Sequence, residues 1–378
     1  MRGSVFKRGR TWTYVLAVGR EHVTGKKRQR WVGGFKTKAD AELALTRALA
    51  AHDGGVTAGT TTLNVAQFLD EWLEAVRPSL KATTAKSYVE MMQGYVVPRI
   101  GDVRLTRLNP GHLRRLYGDL LVSGRQRASG GLSTRTVAYT HRVLSHALSD
   151  AVRWGMLTAN PAEKVDPPRV VTPEMRVWTV EEARRFLALV EDDRLYAMWV
   201  VVLAIGLRRG EVAGLRWDDV DLERREAAIR RTRVVVGWQV HVSEPKTRSS
   251  RRTVSLDPTT VAVLRAHRAR QLEERPAWGP GWRDSGYVFC SEDGQPVHPQ
   301  RITKTFDHIV AVQGLPRIRL HDLRHTSATL ALLAGVHPKV VSERMGHANV
   351  GVTLDTYSHV VKGMQEEAAM KVAALLFG

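Results

Sequence analysis

Three stretches of different hydrophobic periodicity follow one another along the 378-residue chain. Residues 1–55 alternate apolar and polar side chains before a short helical pattern, residues 62–165 are helical in pattern, and residues 172–378 are helical around a strand-rich insert. Two linker-like segments rich in Gly, Ala, Thr or Pro separate them. A chain of this length commonly forms more than one hydrophobic core. The sequence therefore predicts three domains in a mainly α protein with small β-sheets, of the α+β class.

The first segment has the pattern of a small three-stranded sheet followed by one helix. Alternation from Trp12 to Val18 predicts one strand, residues Arg28 to Phe35 predict another, and a helix is expected from about Lys38 to Ala51. Four basic residues stand beside Trp31 on a turn and strand: Lys26, Lys27, Arg28 and Arg30. Such a ribbon can enter the major groove of DNA. A solvated basic hairpin whose aromatic side chains form a small core fits the same residues.

An apolar stripe at helical spacing opens the second segment. It consists of Val65, Phe68, Leu69, Trp72, Leu73 and Val76. Asn109 before Pro110 then predicts a helix start, and Ser133 predicts the start of a longer helix.

The third segment opens with a capping box at Thr179 and Glu182. The apolar run from Leu195 to Leu207 falls short of the roughly 20 residues that span a bilayer, and it predicts a buried helix. A helix capped by Asp257 should follow a small sheet. Three strands are expected in that sheet, at Ala227–Val236, Gln239–Val242 and Arg252–Leu256.

A formal net charge of +19 is spread over all three segments. Such an excess favours a polyanionic partner, and nucleic acid fits better than a membrane, whose surface proteins usually concentrate basic residues on one helix. The single cysteine, Cys290, leaves no pair for a disulfide, which fits a reducing compartment. Because we find no signal peptide, phosphate-binding glycine loop or acidic metal cluster, we expect no secretion, no cofactor and no metal.

Arg208 follows the buried helix at a turn flanked by glycines, in the segment AIGLRRGE. The planar fork of an arginine held beside a cleft offers two donors to phosphate oxygens. Glu211, three residues later, can orient that fork. A surface arginine at a helix end is the alternative for this segment taken alone.

Lys246 lies in EPKTRSSRRTV, which we expect to form a tight hairpin between the second and third strands of the insert. A lysine at a loop tip can protonate a leaving oxygen, whereas an arginine holds its proton too firmly. The same loop carries three arginines suited to DNA phosphates, Arg248, Arg251 and Arg252. A DNA-backbone contact without a catalytic role therefore also fits Lys246.

His321 and Arg324 in HDLRHTSAT stand three residues apart, on one face of a helix. His321 can take a proton from a nucleophile, and Arg324 can bind a second phosphate oxygen. With His325 the segment also resembles the zinc motif HExxH. Its acid, Asp322, is shorter than the usual glutamate, and no third ligand is apparent.

Tyr357 follows His347 within GHANVGVTLDTYSH, residues 346–359. A phenol among imidazoles and guanidinium groups can attack a phosphodiester and hold the phosphate as a covalent ester. Because the ordinary pKa of a phenol is about 10, it needs a proton acceptor and a positive field nearby. Tyr357 is the candidate nucleophile.

Four blocks in this order, GLRRGE…LRWDDVD, PKT…RRTV, HDLRHTSAT and MGHANVGVTLDTYSH, resemble the tyrosine recombinase (phage integrase) family over residues 175–378. The resemblance implies a cofactor-free and metal-free reaction through a 3′-phosphotyrosine. It implies four protomers on double-stranded DNA, in the bacterial cytoplasm or nucleoid. Tyr357 matches the family's nucleophile, and its other active-site positions are matched by Arg208, Lys246, His321, Arg324 and His347. Met345 stands where leucine is commoner, which looks like packing variation.

The upstream segments resemble the family more loosely. Residues 62–165 are similar to its core-site-binding domain, and residues 1–55 to the arm-site-binding domain of the larger integrases. An accessory DNA-bending or directionality protein is a further partner that such integrases allow. An apolar stripe at the C-terminus either docks on a neighbouring protomer or covers its own domain: Met364, Ala368, Val372, Leu375 and Leu376.

Two other functions stay open. A DNA-binding or architectural protein of this fold would lack the chemistry, but the set of six polar residues is intact. A type IB-like topoisomerase would share the chemistry without exchanging partners, whereas the basic N-terminal segment favours site-specific integration or excision of a phage or mobile element.

Overall fold

The computed structural model describes residues 3–20, 27–53, 61–126, 128–171, 175–243, 251–347, 349–351, 353–354 and 365–377. The chain divides into two compact units, Met1–Thr172 and Pro173–Gly378. No helix among these described residues is both long enough and apolar enough to cross a membrane. The architecture is mainly helical with small antiparallel sheets, as the sequence predicts.

A three-stranded antiparallel sheet and one helix form the N-terminal part of the first unit. In spatial order they are β1 (Gly3–Arg8), β2 (Thr11–Arg20) and β3 (Lys27–Phe35), followed in the chain by α1 (Lys38–Asp53). Tyr14 and Leu16 on one face of β2 pack with Leu45 of α1. Trp31 stays outside that small core, since it is 52% exposed and lies edge-on against Phe6.

Helices around one hydrophobic core build the rest of the first unit. They are α2 (Val65–Val76), α3 (Ala82–Met91), α4 (Val97–Ile100), α5 (Pro110–Ser123) and α6 (Thr134–Arg153). Asn109 and Ser133 cap α5 and α6 through side-chain oxygens that accept backbone N–H groups, which confirms both predicted helix starts. Trp72 in the core donates its indole N–H to the buried carboxylate of Asp150 at 2.7 Å.

The second unit has a larger core, formed by the first six of its described helices. The described helices are α7 (Val180–Leu189), α8 (Tyr196–Ile205), α9 (Arg209–Gly214), α10 (Pro258–Trp278), α11 (Pro299–Val312), α12 (Leu320–Leu333), α13 (Pro338–Met345) and α14 (Gln365–Phe377). The predicted buried helix is α8, which packs against α10 and α12. Thr179 and Asp257 cap α7 and α10 as predicted.

Two small antiparallel sheets follow α9. One has the order β4 (Val220–Asp221), β5 (Glu226–Ile229), β8 (Arg252–Ser255), and the other is the hairpin of β6 (Thr232–Val236) and β7 (Gln239–Ser243). The hairpin turns at Gly237, whose φ of 65° favours glycine.

Two predictions about this region are wrong. The expected single strand from Ala227 to Val236 is two strands, because β5 pairs with β8 while β6 pairs with β7. The expected hairpin between the second and third strands is wrong for the same reason, since β7 and β8 belong to different sheets. Lys246 therefore falls between strands of two separate sheets.

Helix α14 leaves much of its apolar surface in solvent. Val372 is 54% exposed, Leu375 87% and Leu376 69%. These side chains therefore do not cover the unit to which they belong. Met364, also part of the predicted stripe, lies outside the described residues.

Candidate active site

Arg208 lies between two helices that fix its backbone. Helix α8 ends at Gly206, whose φ of 72° favours glycine, and an added Cβ there would lie 2.3 Å from Cε of Met345. The backbone N–H of Arg208 donates to Oε2 of Glu211 at 3.0 Å. Its Nη1 donates to Oε1 of Glu211 at 2.7 Å, and its Nη2 donates to the carbonyl of Gly346 at 3.1 Å. The side chain remains 36% exposed, so the positioned fork is open to an anion.

Glu211 is buried between two arginines. Its side chain is 3% exposed and accepts hydrogen bonds from Arg208 and from Nη2 of Arg252 at 3.0 Å. Burial by itself raises the pKa of a carboxyl, but Arg252 and Arg208 hold the pKa of Glu211 below its usual value. Glu211 is therefore ionised at neutral pH and orients both guanidinium groups.

Helix α12 brings Arg324 to the same place. Arg324 is 2% exposed, donates from Nη1 to the carbonyl of Gly206 at 2.6 Å, and donates from Nη2 to the carbonyl of Met345. The next carbonyl, that of Gly346, accepts from Arg208. Both arginines are thus anchored where α8 and α13 end. Two guanidinium groups fixed beside each other suit an anion with several oxygens, such as a phosphodiester.

His321 and His325 follow one another on α12, with their ring centroids 5.0 Å apart. Loss of water and the charge of Arg324 lower the pKa of His321, and burial together with His321 lowers the pKa of His325 to about 4. His321 keeps an exposed surface and is neutral at pH 7, so it can accept a proton.

The acid between these histidines is held by a neighbouring arginine. Asp322 accepts hydrogen bonds from Nη2 of Arg319 at 2.7 Å and from its backbone N–H at 2.8 Å. In the part of the chain that the structure describes, no three His, Cys, Asp or Glu side chains are grouped to hold a metal ion.

His347 directly follows the end of α13. Its ring Nδ1 lies 2.8 Å from Oγ1 of Thr353. Loss of water, then Arg324 and Arg208, lower its pKa to about 4. These charges act on the ring because His347 shares the site of the two arginines. The structure thus brings Arg208, His321, Arg324 and His347 together.

Several predicted site residues lie outside the described residues: Lys26, Lys246, Arg248 and Tyr357. Lys27 and Arg28 are described only by their backbone positions in β3, opposite Arg20 and Gly19. The side chains of Arg30 and Arg251 are exposed.

The sequence interpretation missed two contributions to this site. Arg252 was expected to contact DNA, but its side chain is 7% exposed and pairs with Glu211, and its Nε donates to the carbonyl of Arg344 at 2.5 Å. Its position in a run of basic residues carried no sign of burial. Thr353 was not singled out, and its place six residues after His347 was the available signal.

The two histidines of low pKa predict how folding stability depends on pH. Between pH 6.5 and about 4 the unfolded chain protonates His325 and His347 while the folded chain does not, so stability is complete above pH 6.5 and falls as the pH drops. We expect a loss of about 1 kcal/mol per histidine after allowing for solvent screening.

Urea unfolding of the full chain at pH 7 and pH 5 measures this loss. The variant His347→Asn should lose less stability on acidification than the wild type. His308 is exposed, so the control variant His308→Asn should lose as much stability as the wild type. Equal pH dependence in all three proteins would contradict the assignment.

Comparison with known proteins extends these observations. The model of the phage integrase family matches residues 176–364, half of the chain. This chain belongs to the phage integrase family. Models of an arm DNA-binding domain and of the SAM-like N-terminal domain of phage integrases match residues 4–51 and 64–121 of this tyrosine recombinase.

Two relatives cover nearly the whole length of the recombinase, and a third covers about two thirds of it. It is 27% identical over 373 residues to a XerC-like tyrosine recombinase of Caldanaerobacter subterraneus subsp. tengcongensis, with 93% of each chain covered. It is 26% identical over 373 residues to an integrase of Streptomyces ambofaciens, covering 91% of this chain and 93% of that one. It is also 29% identical over 248 residues to the ICEBs1 integrase of Bacillus subtilis, covering 65% and 67%.

Solved structures share the fold of the recombinase. The Tn1549 transposon integrase in complex with transposon right end DNA superposes with a TM-score of 0.68 at 22% identity, covering 84% of this chain and 100% of that chain. A lambda integrase dimer bound to a COC′ core site superposes with a TM-score of 0.59 at 14% identity, covering 93% and 94%. The predicted fold class and family are confirmed.

Proposed function

We propose that this recombinase cleaves and rejoins DNA strands at specific sites through a 3′-phosphotyrosine at Tyr357, and so integrates or excises a phage or mobile element. One observation carries the proposal: Arg208 and Arg324 are anchored by adjacent backbone carbonyls, with His347 next to them. This is a site for one phosphate with several oxygens. Tyr357 follows His347 by ten residues in the sequence.

Each side chain has a separate task in this reaction. Arg208 and Arg324 offset the charge on the nonbridging oxygens as the phosphate becomes pentacoordinate. His321, neutral at pH 7, accepts the phenolic proton of Tyr357. Lys246 protonates the departing 5′ oxygen. Rejoining reverses these steps, because the phosphotyrosine ester conserves the energy of the broken bond.

The ring of His347 is neutral at pH 7 in the free protein, because its pKa is about 4. The neutral ring can donate its single N–H to a phosphate oxygen.

The basic surfaces fit recognition of double-stranded DNA. In this proposal residues 62–165 bind the core site, residues 172–378 carry the chemistry, and residues 1–55 bind arm-type sites through Lys26, Lys27, Arg28 and Arg30. Arg248 and Arg251 contact the DNA backbone near the reacting phosphate. Arg252, which is buried against Glu211, orients that carboxylate and through it Arg208.

Strand exchange joins two duplexes and therefore needs four protomers. The exposed apolar side chains of α14, including Leu375 and Leu376, favour docking on a neighbouring protomer over covering their own unit. An accessory DNA-bending protein would act on this assembly.

Trapping on a nicked suicide substrate tests the proposed reaction. A nick near the scissile phosphate lets the short fragment that carries the new 5′ hydroxyl diffuse away, so the covalent intermediate accumulates. We expect a covalent protein–DNA complex in the presence of EDTA, and none with Tyr357→Phe, which lacks the nucleophilic oxygen. A second duplex with a free 5′ hydroxyl should then be joined to the trapped strand.

The other functions predict different results. An architectural protein gives no covalent complex. A topoisomerase gives the complex but reseals it without preference for a site. A requirement for added metal ions, or an adduct that persists in Tyr357→Phe, would contradict the proposal.

A further inference from the structure

His347 is fixed by its backbone as well as by its ring. It follows Gly346, whose φ of 63° ends α13, and its N–H donates to the carbonyl of Ser342 at 3.0 Å. The ring Nδ1 lies 2.8 Å from Oγ1 of Thr353, which is fully buried. Because the surroundings of this hydroxyl exclude water, the contact with His347 is strong and directional.

The protonation state of His347 determines how the contact with Thr353 can affect the ring. With a pKa of about 4 the ring is neutral at pH 7 and carries one N–H. A hydrogen on Nδ1 would leave Nε2 as a bare acceptor, which repels phosphate oxygens. A hydrogen on Nε2 gives the phosphate a donor and leaves Nδ1 as an acceptor. The hydrogen bond at one ring nitrogen selects between these tautomers.

We propose that Thr353 is a positioning residue whose hydroxyl donates to Nδ1 of His347 and keeps the hydrogen on Nε2, where the reacting phosphate binds. The hydroxyl group of a threonine rotates freely and can donate in this way. The inference rests on the proposed function, since it matters for catalysis only where His347 contacts that phosphate.

The pair of variants Thr353→Val and Thr353→Ser tests the inference. Valine keeps the shape but has no donor, so the rate of covalent cleavage should fall roughly 10- to 100-fold, as when a partner that orients a functional histidine is removed. Serine keeps the hydroxyl and should stay within about threefold of the wild type. Affinity for the site duplex should be unchanged in both, because the fully buried side chain of Thr353 offers no surface to DNA.

A double-mutant cycle separates positioning from general damage to the fold. If Thr353 acts through His347, then Thr353→Val should cause no further loss of rate in a His347→Gln background. The ¹⁵N spectrum of the wild-type ring gives a direct readout, with the hydrogen expected on Nε2. In Thr353→Val both tautomers should appear.

Three results would overturn the inference: a hydrogen on Nδ1 in the wild type, an unchanged rate in Thr353→Val, or an equal loss in both backgrounds. The wild-type spectrum decides even where the valine variant fails to fold. Absence of any covalent complex with the wild type would instead count against the proposed function, and the tautomer of His347 would still be measurable.

Discussion

Replacing Arg324 by lysine is expected to slow covalent strand cleavage by about 1,000-fold, which corresponds to about 4 kcal/mol of transition-state stabilisation. Lysine keeps the positive charge but loses the planar fork, which donates to the carbonyls of Gly206 and Met345. Because a lysine side chain reaches those carbonyls less well than the arginine fork does, its charge can shift away from the phosphate. Single-turnover cleavage of the nicked substrate measures the effect.

Arg317→Lys is the matched control for this variant. Arg317 is exposed and lies three residues before α12. Its replacement should leave the cleavage rate within about twofold, since exposed charges contribute little. A cleavage rate for Arg324→Lys as high as that of Arg317→Lys would exclude Arg324 from the site. Thermal unfolding of both proteins shows whether the slower rate results from a loss of folding stability.

Glu211→Gln is expected to destabilise the protein by about 3 kcal/mol, because it removes the charge that compensates the buried guanidinium of Arg252 and the partly exposed one of Arg208. Both Arg208 and Arg252 donate to this carboxylate, whose side chain is 3% exposed. Cleavage should also slow by about 10- to 100-fold, because Arg208 loses the partner that orients it. Urea unfolding and single-turnover cleavage measure the two effects.

Glu223→Gln provides the comparison for Glu211. Glu223 also pairs with an arginine, Arg265, at 2.6 Å, but its side chain is 84% exposed. An exposed pair of this kind contributes at most about 1 kcal/mol. If Glu211→Gln were no less stable than Glu223→Gln, the buried carboxylate of Glu211 would not stabilise the fold more than an exposed one does.

The helices could be predicted from the sequence because their starts are encoded locally. Asn109, Thr179 and Asp257 each cap the helix that follows them. Such capping depends on residues within one turn of each other, so it leaves a pattern in the sequence. The buried helix α8 could also be predicted from the sequence, because it is apolar on every side.

The strand pairing could not be predicted in the same way. The stretch from Ala227 to Val236 looks like one strand because its apolar residues continue past the break. Whether a strand ends depends on its partner, and β5 pairs with β8, which is distant in the sequence. Arg233, inside that stretch, is buried and donates to the carbonyl of Val297 at 2.8 Å. A contact over such a sequence distance leaves no local pattern.

For the candidate site, too, the sequence predicted the residues but not the contacts that hold them. The types of side chain and their order along the chain indicated the residues, and the structure brings Arg208, Arg324 and His347 together. What the sequence could not reveal is how they are held, since the acceptors are the backbone carbonyls of Gly206, Met345 and Gly346. Carbonyls are present at every position, so their use is set by the fold alone.

Mass spectrometry of the trapped complex identifies the residue that attacks the DNA. After digestion of the suicide-substrate complex by protease and nuclease, we expect a peptide spanning Tyr357 with a nucleotide linked to its phenolic oxygen through the 3′ phosphate. A nucleotide attached to any other residue would exclude Tyr357 as the nucleophile, and one linked through a 5′ phosphate would exclude a 3′-phosphotyrosine intermediate.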